Sequence, residues 1–190
     1  MLAITLHLSL SRKLKTKLEL THMNNDNQDY LLQKAREKLD KGSYRATYKI
    51  LAPLLQTNCA EALYMYSKFS FLRKETTDDF QKRTLRLLEQ AASLGHGDAL
   101  YQLAVFYDVG DMVDKNPDRA SQLFKQAAET GHTKAKVSYG LDLFYGTNGI
   151  VQNQPMGLML LQQAVDAGIE GAAYCLERAK DHSTGGVKAT

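Results

Sequence analysis

Leu87-Leu88-Glu89-Gln90-Ala91-Ala92, Leu123-Phe124-Lys125-Gln126-Ala127-Ala128 and Leu160-Leu161-Gln162-Gln163-Ala164-Val165 are three versions of one stretch. Each is followed three residues later by a glycine: Gly95, Gly131 and Gly168. Four residues beyond each glycine stands an alanine (Ala99, Ala135, Ala172), and Ala62 carries the alanine series one step back. The spacing is 36 to 37 residues throughout. A fixed period of that length marks a repeat architecture, in which no unit buries its apolar face alone and neighbours stack to make a shared core.

Within one period the apolar pattern has helical spacing twice. Ala99, Leu103, Phe106, Tyr107 and Gly110 fall on one stripe of a first helix, with Asp98 placed to accept from the open amides of its first turn. Gly110 ends that helix. Asn116-Pro117 then supplies an N-cap and a first-turn proline for a second helix, whose inner stripe is Ala120, Leu123, Phe124, Ala127 and Ala128 and which Gly131 closes. Asp79 and Asn153 are the equivalent caps in the flanking units. The alanines let neighbouring helices approach closely. Residues 28–58 read as a more divergent pair, with Ala35, Leu39, Tyr44, Ala46 and Leu51 on the apolar faces, Gly42 in the turn, and Pro53 placed to bend or shorten the second helix.

Composition narrows what such an array does. The 190 residues carry a net charge of +3. Arg12, Lys13, Lys15 and Lys17 against Glu19 account for all of it, and residues 23–190 hold 20 basic and 20 acidic side chains. Without a basic excess in the body, nucleic acid and anionic membrane are poor candidates for partners. Leu2, Ile4, Leu6, Leu8 and Leu10 precede the basic cluster, the reverse of a secretory signal, and the stretch is too short to span a bilayer. Residues 1–27 are therefore expected to form an extension that is poorly ordered, with Met23 a natural start for the folded body, and residues 182–190 a mobile tail. Cys59 and Cys175 are far apart in sequence and fit free thiols in a reducing compartment.

The repeating residues resemble the Sel1-like repeat of the tetratricopeptide superfamily. The resemblance covers residues 59–181, as units of about 59–95, 96–131 and 132–168 and a half unit, 169–181. The second and third units match well; the first departs at Ser67, Ser70 and Arg73. The resemblance implies an all-α, right-handed solenoid of antiparallel helix pairs. It also implies a non-catalytic adaptor or regulator, bacterial and cytoplasmic, that binds a partner protein or peptide in a concave groove, as a monomer or weak homodimer. The alternative it carries is an immunity-type inhibitor that neutralises a cognate toxin; an enzyme accessory subunit is a weaker third.

Counting from each unit's alanine, positions +2, +3, +6 and +9 leave the buried stripe, and by analogy with tetratricopeptide proteins they line that groove. They are Tyr64, Met65, Lys68 and Phe71; Tyr101, Gln102, Val105 and Asp108; Val137, Ser138, Leu141 and Phe144; and Tyr174, Cys175 and Arg178. Aromatic and aliphatic anchors of this kind carry most of the energy at protein interfaces. Phe71 and Phe144 are expected to be exposed, and the tyrosines partly structural. No cofactor or metal is expected. His96 and His132 share a repeat position after a helix-ending glycine, where a structural role explains them better than a metal, and His182 falls outside the expected fold. Asp108, Asp111, Asp114 and Asp118 lack the alternate spacing and terminal glutamate of a calcium loop. No catalytic motif is present.

Overall fold

The computed structural model describes residues 25–72 and 74–185. Those residues form nine helices: α1 (Asn25–Asp40), α2 (Tyr44–Gln56), α3 (Ala60–Ser67), α4 (Thr77–Ser93), α5 (Gly97–Val109), α6 (Pro117–Glu129), α7 (Thr133–Tyr145), α8 (Gln154–Asp166) and α9 (Ala172–Gly185). The chain divides into two units, one ending at Leu87 and the other beginning at Leu88, within α4. The basic extension lies almost wholly outside the described residues, α1 already being helical from Asn25.

In the N-terminal unit, Gly42 turns the chain from α1 into α2, its amide donating to the Leu39 carbonyl at 2.8 Å. The helix survives Pro53 and runs three residues beyond it, to Gln56. Leu32, Ala35, Leu51, Leu54, Ala62 and Phe69 make the core. α3 is short, eight residues against thirteen in α5 and α7. It stops at Ser67, one of the positions where this unit departs from the repeat pattern, and the Ser67 hydroxyl donates to the Tyr64 carbonyl at 2.7 Å.

The cap of α4 is Thr76, not Asp79 as expected. The Asp79 amide donates to Thr76 Oγ1 at 3.1 Å, and that hydroxyl donates to the Asp79 carboxylate at 2.7 Å. A threonine followed three residues later by an acid is a capping-box spacing, with the acid as its inner member. Thr76→Ala is expected to lower the stability of this unit by about 1 kcal/mol, read as a shift in urea midpoint at unchanged slope; Thr76→Ser should recover most of it.

The C-terminal unit repeats one local design. Asn116 accepts from the Arg119 amide at 2.9 Å and Asn153 from the Met156 amide at 3.1 Å, as their positions before each proline-bearing first turn predict. Gly110 and Gly146 end α5 and α7 in the left-handed conformation, φ 84° and 69°, which a side chain rarely adopts. The first helices, however, are capped by histidines. His96 Nδ1 accepts from the Ala99 amide at 3.3 Å and His132 Nδ1 from the Ala135 amide at 3.2 Å. This corrects the role expected of Asp98: it lies inside the first turn, two residues too late to be the cap.

Side chains expected on the inner stripes, including Ala99, Leu103, Phe106, Ala120, Leu123, Phe124 and Ala127, are buried. α7 and α8 meet at two glycines: a methyl group on Gly157 would stand 2.6 Å from the Gly140 carbonyl oxygen and 2.8 Å from the Phe144 amide nitrogen. Asp142, also buried, accepts from Ser121 (2.6 Å), Thr147 (2.9 Å) and Asn148 (2.8 Å), tying the loop after α7 to α6. α9 continues to Gly185, so the first residues of the stretch read as a mobile tail are helical. The His182 ring, expected outside the fold, lies edge-on to Phe144 and Tyr145, at 6.1 and 5.5 Å. Both cysteines are free thiols, Cys59 buried and Cys175 half-buried.

Candidate protein-binding surface

The expected groove residues separate into three kinds. Met65 and Phe144 are buried, at 3% and 0% exposure, which corrects their place on a surface. Met65 sits in the core made by α1, α2 and α3. Phe144 packs with Leu161 of α8 and with Leu176 and Ala179 of α9. Each helix in such an array is covered by the pair before or the pair after it, so its buried arc is wider than the one stripe seen within a single unit.

A second group is half-buried or exposed, and several of its members take part in packing. Phe71 packs against Tyr48, ring centres 4.6 Å apart with planes tilted by 35°, and is not the exposed ring expected of it. Tyr64 carries the Lys68 ammonium 3.8 Å from its ring centre, and Lys68 also reaches a cavity of about 400 Å³ that Tyr44, Phe69, Glu75 and Phe80 line. Val137, Leu141 and Cys175 pack on the Phe144 cluster with one side of each. Gln102 and Val105 are half-buried, whereas Asp108 and Arg178 are exposed and Tyr174 is 65% exposed.

The third kind is brought together. Tyr101 from α5, Val137 and Ser138 from α7, and Ile169 with Gly168 and Gly171 from the turn before α9 line an open cavity of about 510 Å³. Lys134 and Glu170 give the lining one charge of each sign. Tyr101 and Val137 hold the same repeat position, so one register in consecutive units supplies two walls. The turn residues were not among the candidates. Their signal is their place after Gly168, where the turn into the next unit meets the first helices.

Tyr101 is positioned from below. Its ring packs on Phe124 at 5.7 Å and on the His132 imidazole at 4.4 Å, the latter pair with planes 24° apart. His132 Nε2 lies 3.2 Å from the Asp98 carboxylate. Burial pushes the His132 proton affinity below the ordinary histidine value, and outweighs the opposing attraction of Asp98. The structural role expected of the +2 tyrosines therefore applies in part to Tyr101, which is half support and half lining.

Among the described residues no cluster of His, Cys, Asp or Glu is placed to hold a metal ion, and no helix is long and apolar enough to cross a membrane.

The comparisons with known proteins follow the same units. The model of the Sel1 repeat matches residues 60–96, 97–132 and 134–169. Among solved structures, a Sel1 repeat protein from Oxalobacter formigenes is similar, at 21% identity with a TM-score of 0.59, over 67% of this chain and 95% of that one. Cysteine rich protein B of Helicobacter pylori is 18% identical with a TM-score of 0.47, over 75% and 94%. None of the curated proteins matches. The fold is thus the α-solenoid of antiparallel helix pairs. With three matched repeats spanning more than half of its length, the chain belongs to the Sel1 repeat family, whose repeats generally mediate protein–protein interaction and whose members generally act as non-catalytic scaffolds.

Proposed function

We propose that the chain is a non-catalytic adaptor or regulator that holds a segment of a partner protein against Tyr101, Val137, Ser138 and Ile169. The observation that carries this reading is the open cavity in which one repeat position, occupied by Tyr101 and then Val137, faces the turn at Gly168. An aromatic ring, two aliphatic side chains, a hydroxyl and one charge of each sign form a lining on which a partner segment can bury apolar surface and be oriented by polar groups.

The test is affinity capture with mass spectrometry on the wild type, Val137→Arg and Tyr101→Ala, with urea unfolding to show that each variant is folded. Val137→Arg is expected to lower retention of the partner at least about 30-fold, the equivalent of a 2 kcal/mol hot spot. Full retention by both folded variants would refute the reading. Stoichiometric capture of a single toxin would replace the adaptor with an inhibitor.

A further inference from the structure

His132 makes three contacts at once. Its Nδ1 accepts the Ala135 amide at 3.2 Å and caps α7. Its Nε2 lies 3.2 Å from Oδ1 of Asp98. Its ring supports that of Tyr101, a wall of the cavity. The first two contacts fix the tautomer: Nε2 carries the proton and Nδ1 is bare. A second proton goes onto Nδ1, where it meets an N–H and turns an accepted hydrogen bond into a donor–donor clash. The ring must then leave the amide, and Tyr101 loses the face it rests on.

We propose that protonation of His132 releases the α7 cap and the Tyr101 stack together, so that the binding surface is set at neutral pH and loosened in acid. This rests on the reading of the cavity as the partner site and adds its regulation. The groups facing the ring set the direction. Burial holds its proton affinity below the ordinary 6.5, the Asp98 carboxylate on α5 opposes this, and the Lys134 ammonium on α7 reinforces it. Tyr101 covers the ring face, and Glu170 stands with Lys134 in the cavity lining. The unfolded chain takes the proton more readily than the fold does. The set state is therefore fully favoured above about 6.5 and is lost as the pH falls through the lower, folded value. His96 makes the same cap on α5, and its ring resonance is followed separately.

The experiment titrates the ¹⁵N-labelled full chain from about pH 8 to about pH 5, as wild type and as His132→Asn, a substitution that keeps a capping oxygen and has nothing to titrate. In the wild type the amides of Tyr101, Ala135, Val137 and Ser138 are expected to move together, with the midpoint of the His132 ring and below 6.5. In His132→Asn they should stay still. Amides that do not move as the His132 ring titrates, or that move equally in the variant, overturn the proposal.

A second arm immobilises the full chain and uses as probe the protein whose retention Val137→Arg abolishes. Retention on the wild type should fall about tenfold between neutral and acid pH, and stay level on His132→Asn. Equal retention at both pH values on the wild type overturns the regulation and leaves the binding reading standing. If no retained protein is sensitive to Val137→Arg, the binding reading fails, and with it the regulation of binding.

Discussion

Phe144→Ala is expected to lower the stability of the C-terminal unit by about 3–5 kcal/mol, the range for truncating a fully buried aromatic side chain. The ring has 0% exposure and is among the largest side chains wholly removed from solvent. It fills the junction of α7, α8 and α9, against Leu161, Leu176 and Ala179, with Tyr145 edge-on at 4.9 Å. Gly157 approaches the α7 backbone beside it, so the two helices already touch and have little room to collapse into the void. Urea unfolding followed by helical circular dichroism reads the loss. Tyr174→Ala, at a ring 65% exposed, should change stability by no more than about 0.5 kcal/mol. A loss below about 1 kcal/mol for Phe144→Ala would mean that the junction repacks. Because this residue holds the unit together, its truncation cannot separate binding from folding; Val137→Arg, on a half-buried side chain that lines the cavity, can.

The repeat made most of this unit readable in advance. Apolar residues that recur at 36 or 37 residues do the same job in each copy, so Ala99, Ala135 and Ala172, or Leu123 and Leu160, are buried alike. Asn116 and Asn153 were legible as caps because proline or glutamine-proline follows them directly. What the pattern does not carry is coverage by the next unit. Position +9 is exposed Asp108 in one unit and buried Phe144 in the next, since α9 and its Leu176 lie over the latter. The histidine caps were legible in principle: His96 and His132 stand three residues before an inner alanine, the distance from a cap to the amide it bonds. Asp98 drew the assignment because aspartate is the commoner cap, although in this register it stands two residues too late. In the first unit the register itself fails at Ser67, and a different device takes its place.

That device is Arg83, and the second large effect falls on its partner: Glu75→Ala should cost the N-terminal unit about 3 kcal/mol, the low end for removing one member of a buried ion pair. The guanidinium binds the carboxylate through two nitrogens, at 2.7 and 3.2 Å, and both side chains are nearly buried, at 12% and 6% exposure. Its remaining donors meet the Tyr66 carbonyl at 3.0 Å and the Phe69 carbonyl at 2.9 Å, and its Cζ lies 4.4 Å from the Tyr66 ring centre. Tyr66 is in the last turn of α3, where carbonyls lose their helical partners, so Arg83 supplies a donor to an open carbonyl at the end of this short helix. Lysine has the charge without the fork, and Arg83→Lys should recover only part of the loss of Arg83→Ala. The hydrogen bonds from Arg83, with a smaller one from Ser70, hold the Glu75 carboxyl below the ordinary value of 4.5, against the desolvation that would raise it. The carboxyl thus stabilises the fold fully above that ordinary value, and its contribution is lost as the pH falls through the folded one. Urea midpoints of the wild type and Glu75→Gln should differ at neutral pH, and the gap should narrow as the pH falls below 4.5 and through the lower, folded value. A gap that persists undiminished in acid would assign the stabilisation to shape and hydrogen bonding, not to the paired charge.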